Sequence, residues 1–182
     1  MIINLNTTVQ LLILLIVTME QPILLFDFKT NSNTKEWQVV DDVVMGGKSS
    51  GHFYVAPTGH GVFEGHVSLE NNGGFSMLRY RFDKINTHTV SKLILRVQGD
   101  GKRYQFRIKR KSSDYYSYVT YFDTTKEWQD ISIRLLDLYP TFRGRKLDMP
   151  NYDGSAIEEI AFLIANQKAE TFVLKIDALF LH

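Results

Sequence analysis

Short apolar segments with a period of two recur along most of the chain and are separated by turn residues. In one of them Leu78, Tyr80 and Phe82 alternate with Arg79 and Arg81. Successive side chains of a β-strand point to opposite faces, so this alternation is typical of a half-buried strand. The whole chain contains about ten such segments and no long segment of helical period. The sequence therefore predicts an all-β domain, folded as a two-sheet sandwich or jelly roll.

Two local patterns refine this prediction. Leu93–Val97 and Tyr104–Ile108 flank Asp100-Gly101, a dipeptide that accepts the positive φ angles of a tight primed turn. We therefore expect these two segments to pair as a hairpin. In another part of the chain, residues 160–164 are rich in β-branched and aromatic side chains, which favours a buried strand over a short helix.

Composition limits the possible functions. The chain has 182 residues, which predicts one β-sandwich domain over residues 23–182. Its formal net charge of +1 provides no long-range field to attract nucleic acid or an anionic membrane surface. The absence of cysteine excludes disulfides, thiolate nucleophiles and cysteine-based zinc sites.

The first 22 residues form an apolar leader that differs from the rest of the chain. Its apolar segment Val9–Met19 is too short to span a bilayer as a helix. It has the length of a signal-peptide core, but no Lys or Arg precedes it and no typical cleavage site follows it. Two hypotheses stay open. A signal or weak anchor predicts an exported or membrane-tethered protein, with membrane association only through the leader or a partner. Translation from Met19 predicts a cytoplasmic one.

The densest group of polar and turn-forming residues lies between Trp37 and Gly51, and a second Gly pair follows Asn71-Asn72. The adjacent acids could form a metal or acid pair, but we favour a bracing role in which one accepts backbone N–H bonds of the Gly turn. If both Gly pairs lie on one rim, a polar patch surrounds them. The candidate partner-binding rim comprises Asp41, Asp42, Met45, Gly46, Gly47, Ser49, Gly73, Gly74 and Arg79.

Two catalytic patterns lack their structural setting. Gly47-Lys48-Ser49-Ser50-Gly51 matches the G-x-S-x-G pattern of hydrolases, which requires a helix after the serine. The residues that follow are typical of a strand instead. His52, His60 and His66 are close in sequence, but no further acid completes a metal-ligand spacing, and exposed histidines are the favoured interpretation. The sequence thus predicts no catalytic residue, no metal site and no cofactor.

A row of basic side chains shares one face of the segment after Gly101 and comprises Arg103, Arg107, Lys109 and Lys111. It could contact phosphates or an acidic partner. Such a row is more often a solvated sheet face or the protection of an edge strand. The net charge near zero argues against nucleic acid as a partner.

Aromatic side chains offer a second type of binding surface. The rings of Tyr115, Tyr116 and Trp128 could stack on a sugar or anchor a protein. Alternation along a strand directs about half of such residues to the core, so only a subset is available to a ligand.

Several separated motifs form a recognisable set. They are Trp37, Asp41-Asp42, Met45-Gly46-Gly47, Ser49, Phe63-Glu64-Gly65, Gly73-Gly74-Phe75, Arg79, Gly99-Asp100-Gly101, Tyr104, Phe122, Trp128, Arg143-Gly144 and Gln167. Together they resemble the Complex I intermediate-associated protein 30 family over residues 24–179. The resemblance implies a galactose-binding-domain-like jelly roll without enzymatic activity. The mitochondrial members of that family act as assembly factors for respiratory complex I and bind its assembly intermediates. The resemblance therefore implies a similar role for this chain.

Two functions follow as hypotheses. The first is a non-catalytic protein-binding domain that assists the assembly or stability of a multisubunit or membrane complex. The alternative is a carbohydrate-binding module on a jelly-roll scaffold, which would need exposed, parallel aromatic rings.

Overall fold

The computed structural model describes residues 22–182, so the predicted leader lies outside the described residues except for Pro22. Thirteen strands and three 3₁₀ helices make up this part of the chain. The strands are β1 Ile23–Asp27, β2 Trp37–Asp41, β3 Ser50–Val55, β4 Gly61–Val67, β5 Ser76–Asn86, β6 Lys92–Gln98, β7 Arg103–Lys109, β8 Ser117–Asp123, β9 Gln129–Arg134, β10 Tyr139–Phe142, β11 Arg145–Lys146, β12 Ala156–Ile164 and β13 Glu170–Leu181. The 3₁₀ helices are Asp42–Met45, Glu70–Asn72 and Leu135–Asp137.

The strands form two antiparallel sheets. The six-stranded sheet has the order β3-β4-β13-β6-β9, and β1 also pairs with β13. The seven-stranded sheet has the order β11-β10-β8-β7-β12-β5-β2. The predicted all-β sandwich is confirmed. The structure has thirteen strands instead of about ten, and two of the short ones, β10 and β11, lie in a segment that contains Pro140 and Gly144. None of the helices formed by residues 22–182 has the length and apolar character needed to cross a membrane.

The core lies between the two sheets and is rich in aromatic rings. Trp37 of β2 stacks on Tyr80 of β5, with ring centroids 4.6 Å apart. Phe162 of β12 is fully buried and contacts the rings of Trp37, Phe106 and Phe122. The prediction of a buried strand over residues 160–164 is confirmed, because β12 contains them and pairs with both β5 and β7.

The predicted hairpin around Asp100-Gly101 is wrong. β6 pairs with β9 and β13 in one sheet, whereas β7 pairs with β8 and β12 in the other. The turn itself is tight, with Gly101 at φ +85°, but it forms a corner between the sheets. The Asp100 carboxylate stabilises this corner by accepting hydrogen bonds from the Val173 amide (3.0 Å) and the Tyr104 hydroxyl (3.2 Å). A hairpin within one sheet and a corner between two sheets produce the same apolar alternation, because both direct the apolar faces of the strands to the core. Alternation therefore could not distinguish them.

Candidate functional site

The candidate site lies at one end of the sandwich, on the loop between β2 and β3 and the loop between β4 and β5. Asp42, fully buried at the start of the first loop's 3₁₀ helix, connects them. Its carboxylate accepts hydrogen bonds from the Ser49 amide (2.9 Å), the Ser49 hydroxyl, the Gly74 amide (2.6 Å) and the Phe75 amide (3.2 Å). One side chain therefore fixes both loops, although its partners Gly74 and Phe75 lie 32 and 33 residues further along the sequence.

The protonation of Asp42 follows from these contacts. Burial on its own raises the pKa of a carboxyl group. The hydrogen bonds from the Ser49 hydroxyl and from the amides of Gly74, Ser49 and Phe75 favour the charged form. They outweigh burial, so that the pKa of Asp42 lies below its ordinary value of 3.8.

Close packing around this carboxylate explains two of the glycines. A Cβ atom on Gly47 would lie 2.3 Å from Oδ1 of Asp42, and one on Gly73 would lie 2.6 Å from Oδ2. Any side chain at either position would displace the carboxylate from the amides that it binds. Gly47 and Gly73 thus belong to the bracing arrangement around Asp42.

Asp41 makes a second brace of the same kind. Its Oδ2 accepts a hydrogen bond from the Gly51 amide (2.8 Å), and its Oδ1 accepts one from the Ser76 hydroxyl. The adjacent acids thus bind separate sets of protein groups. No cluster of three or more potential metal-ligating side chains occurs between residues 22 and 182.

Three apolar side chains are exposed on the rim, beside the exposed polar residues Lys48, Glu70 and Asn71. Val43 and Met45 are each 59% exposed, and Leu69 is 46% exposed on the facing loop. The Asn71 side chain donates a hydrogen bond to the Gly46 carbonyl (3.1 Å), and Lys48 forms an ion pair with Glu70. These contacts connect the two loops that carry Val43, Met45 and Leu69, and we call these three exposed side chains the apolar rim.

The structure brings most of the predicted rim residues together, but it buries several of those that were expected in an exposed polar patch. Asp42, Gly47 and Ser49 are buried, and the exposed members are Met45 and Gly46. Arg79 does not lie on the rim. It lies on the outer face of the seven-stranded sheet, where it donates a hydrogen bond to Gln38 (2.7 Å). The cause is alternation, because Leu78 and Tyr80 face the core and Arg79 between them must face outward.

Val43 and Leu69 were missed by the sequence analysis. Leu69 is exposed because β4 ends at Val67 and Leu69 belongs to the following loop. Their position close to a Gly-rich turn was the sequence signal that could have indicated that these two apolar residues are exposed.

The hydrolase pattern has no catalytic geometry here. Ser49 is buried, its hydroxyl donates to Asp42 and it accepts a hydrogen bond from the Ser68 amide (3.0 Å). The strand β3 begins at Ser50, so the element that follows is a strand, as the sequence predicts.

The aromatic candidates occupy different environments. Tyr115 is 64% exposed and packs edge-on against Phe142, with centroids 5.3 Å apart. Tyr116 is buried, and its hydroxyl accepts a hydrogen bond from Arg110 (3.0 Å). Trp128 is half-buried and lies edge-on to His60. Tyr116 is therefore not available to a ligand.

The basic row on β7 does not protect an edge. β7 lies between β8 and β12, inside the seven-stranded sheet. Arg103 packs over the ring of Tyr121 at 4.3 Å, and Arg107 and Lys109 are half-buried on the outer face.

Comparison with known proteins identifies the family of this chain. The family model described as Complex I intermediate-associated protein 30 (CIA30) matches residues 26–176. The chain belongs to the CIA30 family. A relative, the mitochondrial Complex I intermediate-associated protein 30 of Drosophila melanogaster, is 26% identical over 145 residues, which cover 68% of this chain and 49% of the relative. This CIA30-family chain thus spans about half the length of that relative.

Solved structures show the same fold. The family 11 carbohydrate-binding module of the cellulosomal cellulase Lic26A-Cel5E of Clostridium thermocellum superposes with a TM-score of 0.65 at 19% identity, covering 88% of this chain and 94% of the module. An agarase superposes with a TM-score of 0.61 at 12% identity, covering 88% of this chain and 24% of the agarase. The predicted jelly-roll class of this CIA30-family domain is confirmed.

Proposed function

We propose that this chain is a non-catalytic protein-binding domain that assists the assembly or stability of a multisubunit or membrane complex. The name of the fruit-fly relative associates that protein with an intermediate of complex I. The observation that carries the proposal is the apolar rim of Val43, Met45 and Leu69, exposed on loops that Asp42 holds in place. Apolar side chains on a preorganised backbone favour protein contacts, since little conformational entropy is lost on binding.

The experiment compares a rim variant with a control at a residue of similar exposure. The double variant Met45→Asp with Leu69→Asp places charges on the apolar rim. The control is Leu136→Asp, at a residue 56% exposed in the 3₁₀ helix after β9. β4 and β6 both run antiparallel to β13, and β9 runs antiparallel to β6, so β9 ends at the opposite end of the sandwich from the rim.

Tagged wild type and both variants are used for quantitative affinity purification from the native host. We expect the subunits of one complex to be recovered with wild type and Leu136→Asp, and at least about tenfold less with the rim variant, because a charge in an apolar contact must be desolvated. Thermal melts should agree, since exposed substitutions change stability little. Equal recovery with all three proteins would contradict the proposal.

Carbohydrate binding is the second candidate, and the exposed ring of Tyr115 beside Phe142 favours it. The two rings meet edge-on at 81°, whereas a sugar-binding platform requires faces that lie parallel. A glycan array probed with wild type and Tyr115→Ala distinguishes the candidates. Binding that depends on Tyr115 supports the carbohydrate function, and an array without a bound glycan excludes it for the glycans displayed.

A further inference from the structure

The outer face of the seven-stranded sheet carries a second, separate feature. Strand register places Ala161 of β12 between Arg79 of β5 and Arg107 of β7. Two residues earlier on β12, Glu159 lies between Arg81 and Lys109. Four basic side chains from two strands thus surround one carboxylate and one methyl group. We call Arg79, Arg81, Arg107 and Lys109 the cationic face.

Glu159 compensates only part of this charge. Its carboxylate lies 2.7 Å from Nε of Arg81, 3.9 Å from Nζ of Lys109 and 4.0 Å from Nε of Arg79. In the part of the chain that the structure describes, no other carboxylate comes within 4.0 Å of the cationic face, and Arg107 has no ion pair there. Four positive charges and one negative charge leave an excess of three.

The remaining contacts of the cationic face are neutral. The Arg79 guanidinium donates to the side-chain oxygen of Gln38, and the Arg107 guanidinium donates to that of Gln105. Nζ of Lys109 donates to the Asp114 carbonyl at 2.7 Å. These bonds hold the basic groups in defined positions without neutralising them.

Burial makes the excess charge unfavourable. The side chains of Lys109 and Arg79 are 18% and 21% exposed, and that of Glu159 is 5% exposed. Removal from water lowers the pKa of Arg79, Arg107 and Lys109 below their ordinary values. Half-buried cations that repel one another destabilise the fold unless an anion approaches them.

We propose that the cationic face binds a phosphate group between Arg79 and Arg107, above Ala161. Strand register places Arg79 and Arg107 on the two sides of Ala161, whose small side chain is buried and carries no charge between them. Arginine presents parallel N–H donors that match two phosphate oxygens at once. A dianion also neutralises more of the threefold excess than a carboxylate does. The proposal goes beyond the protein-binding function and concerns a different surface, so that either can fail alone.

The test uses calorimetric titration with inorganic phosphate, glucose 6-phosphate, glucose and acetate at constant ionic strength. We expect saturable binding of the two phosphates, weaker binding of acetate and none of glucose. Binding of glucose 6-phosphate but not inorganic phosphate identifies an organic phosphate as the ligand. The assignment would be overturned if glucose bound as tightly as glucose 6-phosphate, or if acetate bound as tightly as inorganic phosphate. The absence of saturable binding by both phosphates would also overturn it.

Variants locate the site. Arg107→Gln and Arg79→Gln each remove one charged donor, and we expect at least about tenfold weaker phosphate binding, because hydrogen bonds to charged groups are strong. The matched control is Arg134→Gln on exposed β9 of the other sheet, which should bind like wild type. Two Arg variants permit a decision even if one fails to fold. Wild-type affinity in a folded Arg79→Gln or Arg107→Gln protein would overturn the proposal.

Discussion

Asp42 is the residue on which the geometry of the candidate site depends. Replacement by Asn removes the charge and one acceptor oxygen while three backbone amides still need partners. We expect Asp42→Asn to lower the free energy of unfolding by about 2–4 kcal/mol, and the melting temperature by about 5–15 °C, because a buried charged acceptor is lost. Thermal denaturation followed by circular dichroism measures the change.

The pH dependence distinguishes charge from packing. The pKa of Asp42 is lowered in the folded state, so its ionised form stabilises the fold above the unfolded pKa near 3.8. This stabilisation is lost as the pH falls through the folded-state pKa. The difference in the free energy of unfolding between wild type and Asp42→Asn should therefore become smaller below about pH 4. The exposed Asp130→Asn serves as control and should change stability by under about 1 kcal/mol. A difference independent of pH would show that packing alone is lost.

At the scale of elements, the corner between β6 and β7 determines how the chain passes from one sheet to the other. Asp100 at this corner accepts hydrogen bonds from the Lys102 amide, the Tyr104 hydroxyl and the Val173 amide of β13. We expect Asp100→Ala to lower the free energy of unfolding by about 1–3 kcal/mol, because partly buried donors on both sheets lose their acceptor.

Urea denaturation of Asp100→Ala and of Asp148→Ala measures this effect. Asp148 is exposed, and its replacement should change the free energy of unfolding by less than about 0.5 kcal/mol. If both variants unfold at the wild-type midpoint, the corner does not depend on the Asp100 carboxylate.

The elements also show which parts of the molecule a sequence can predict. Alternation was sufficient for the sandwich, and the enrichment in β-branched and aromatic residues was sufficient for β12, because a strand buried between two others is almost continuously apolar. Strand pairing was not predictable at Asp100, since a hairpin and an inter-sheet corner require the same turn residues. Arg79 could have been assigned to the outer face from Leu78 and Tyr80. The cationic face could not, because it depends on the register of β5, β12 and β7, which are distant in sequence.

At the scale of the whole molecule, the two sheets depend on one aromatic core. Phe162 is fully buried in β12 and contacts rings on β2, β7 and β8 of its own sheet. One of these rings, Trp37, also contacts Phe53 of β3 in the other sheet. We expect Phe162→Ala to lower the free energy of unfolding by about 3–5 kcal/mol, since it leaves a cavity among rings that cannot close together. Circular dichroism and tryptophan fluorescence should report the same lowered midpoint, because Trp37 belongs to this core.

A control and a contrary result can be defined for this variant as well. Phe142→Ala removes a partly exposed ring on β10, next to the edge strand β11, and should affect stability much less. Separate fluorescence and circular dichroism transitions in Phe162→Ala would mean that the sheets unfold independently.

The hydrogen bonds that Asp42 accepts keep the shape of the two loops independent of their exposed side chains. Its carboxylate holds main-chain amides, and the side chains that face outward beside them take no part in those bonds. Val43, Met45 and Leu69 are thus free to vary while the loops keep their shape. Descendants of one ancestral sequence can acquire new recognition through these three positions alone, without first evolving a new backbone.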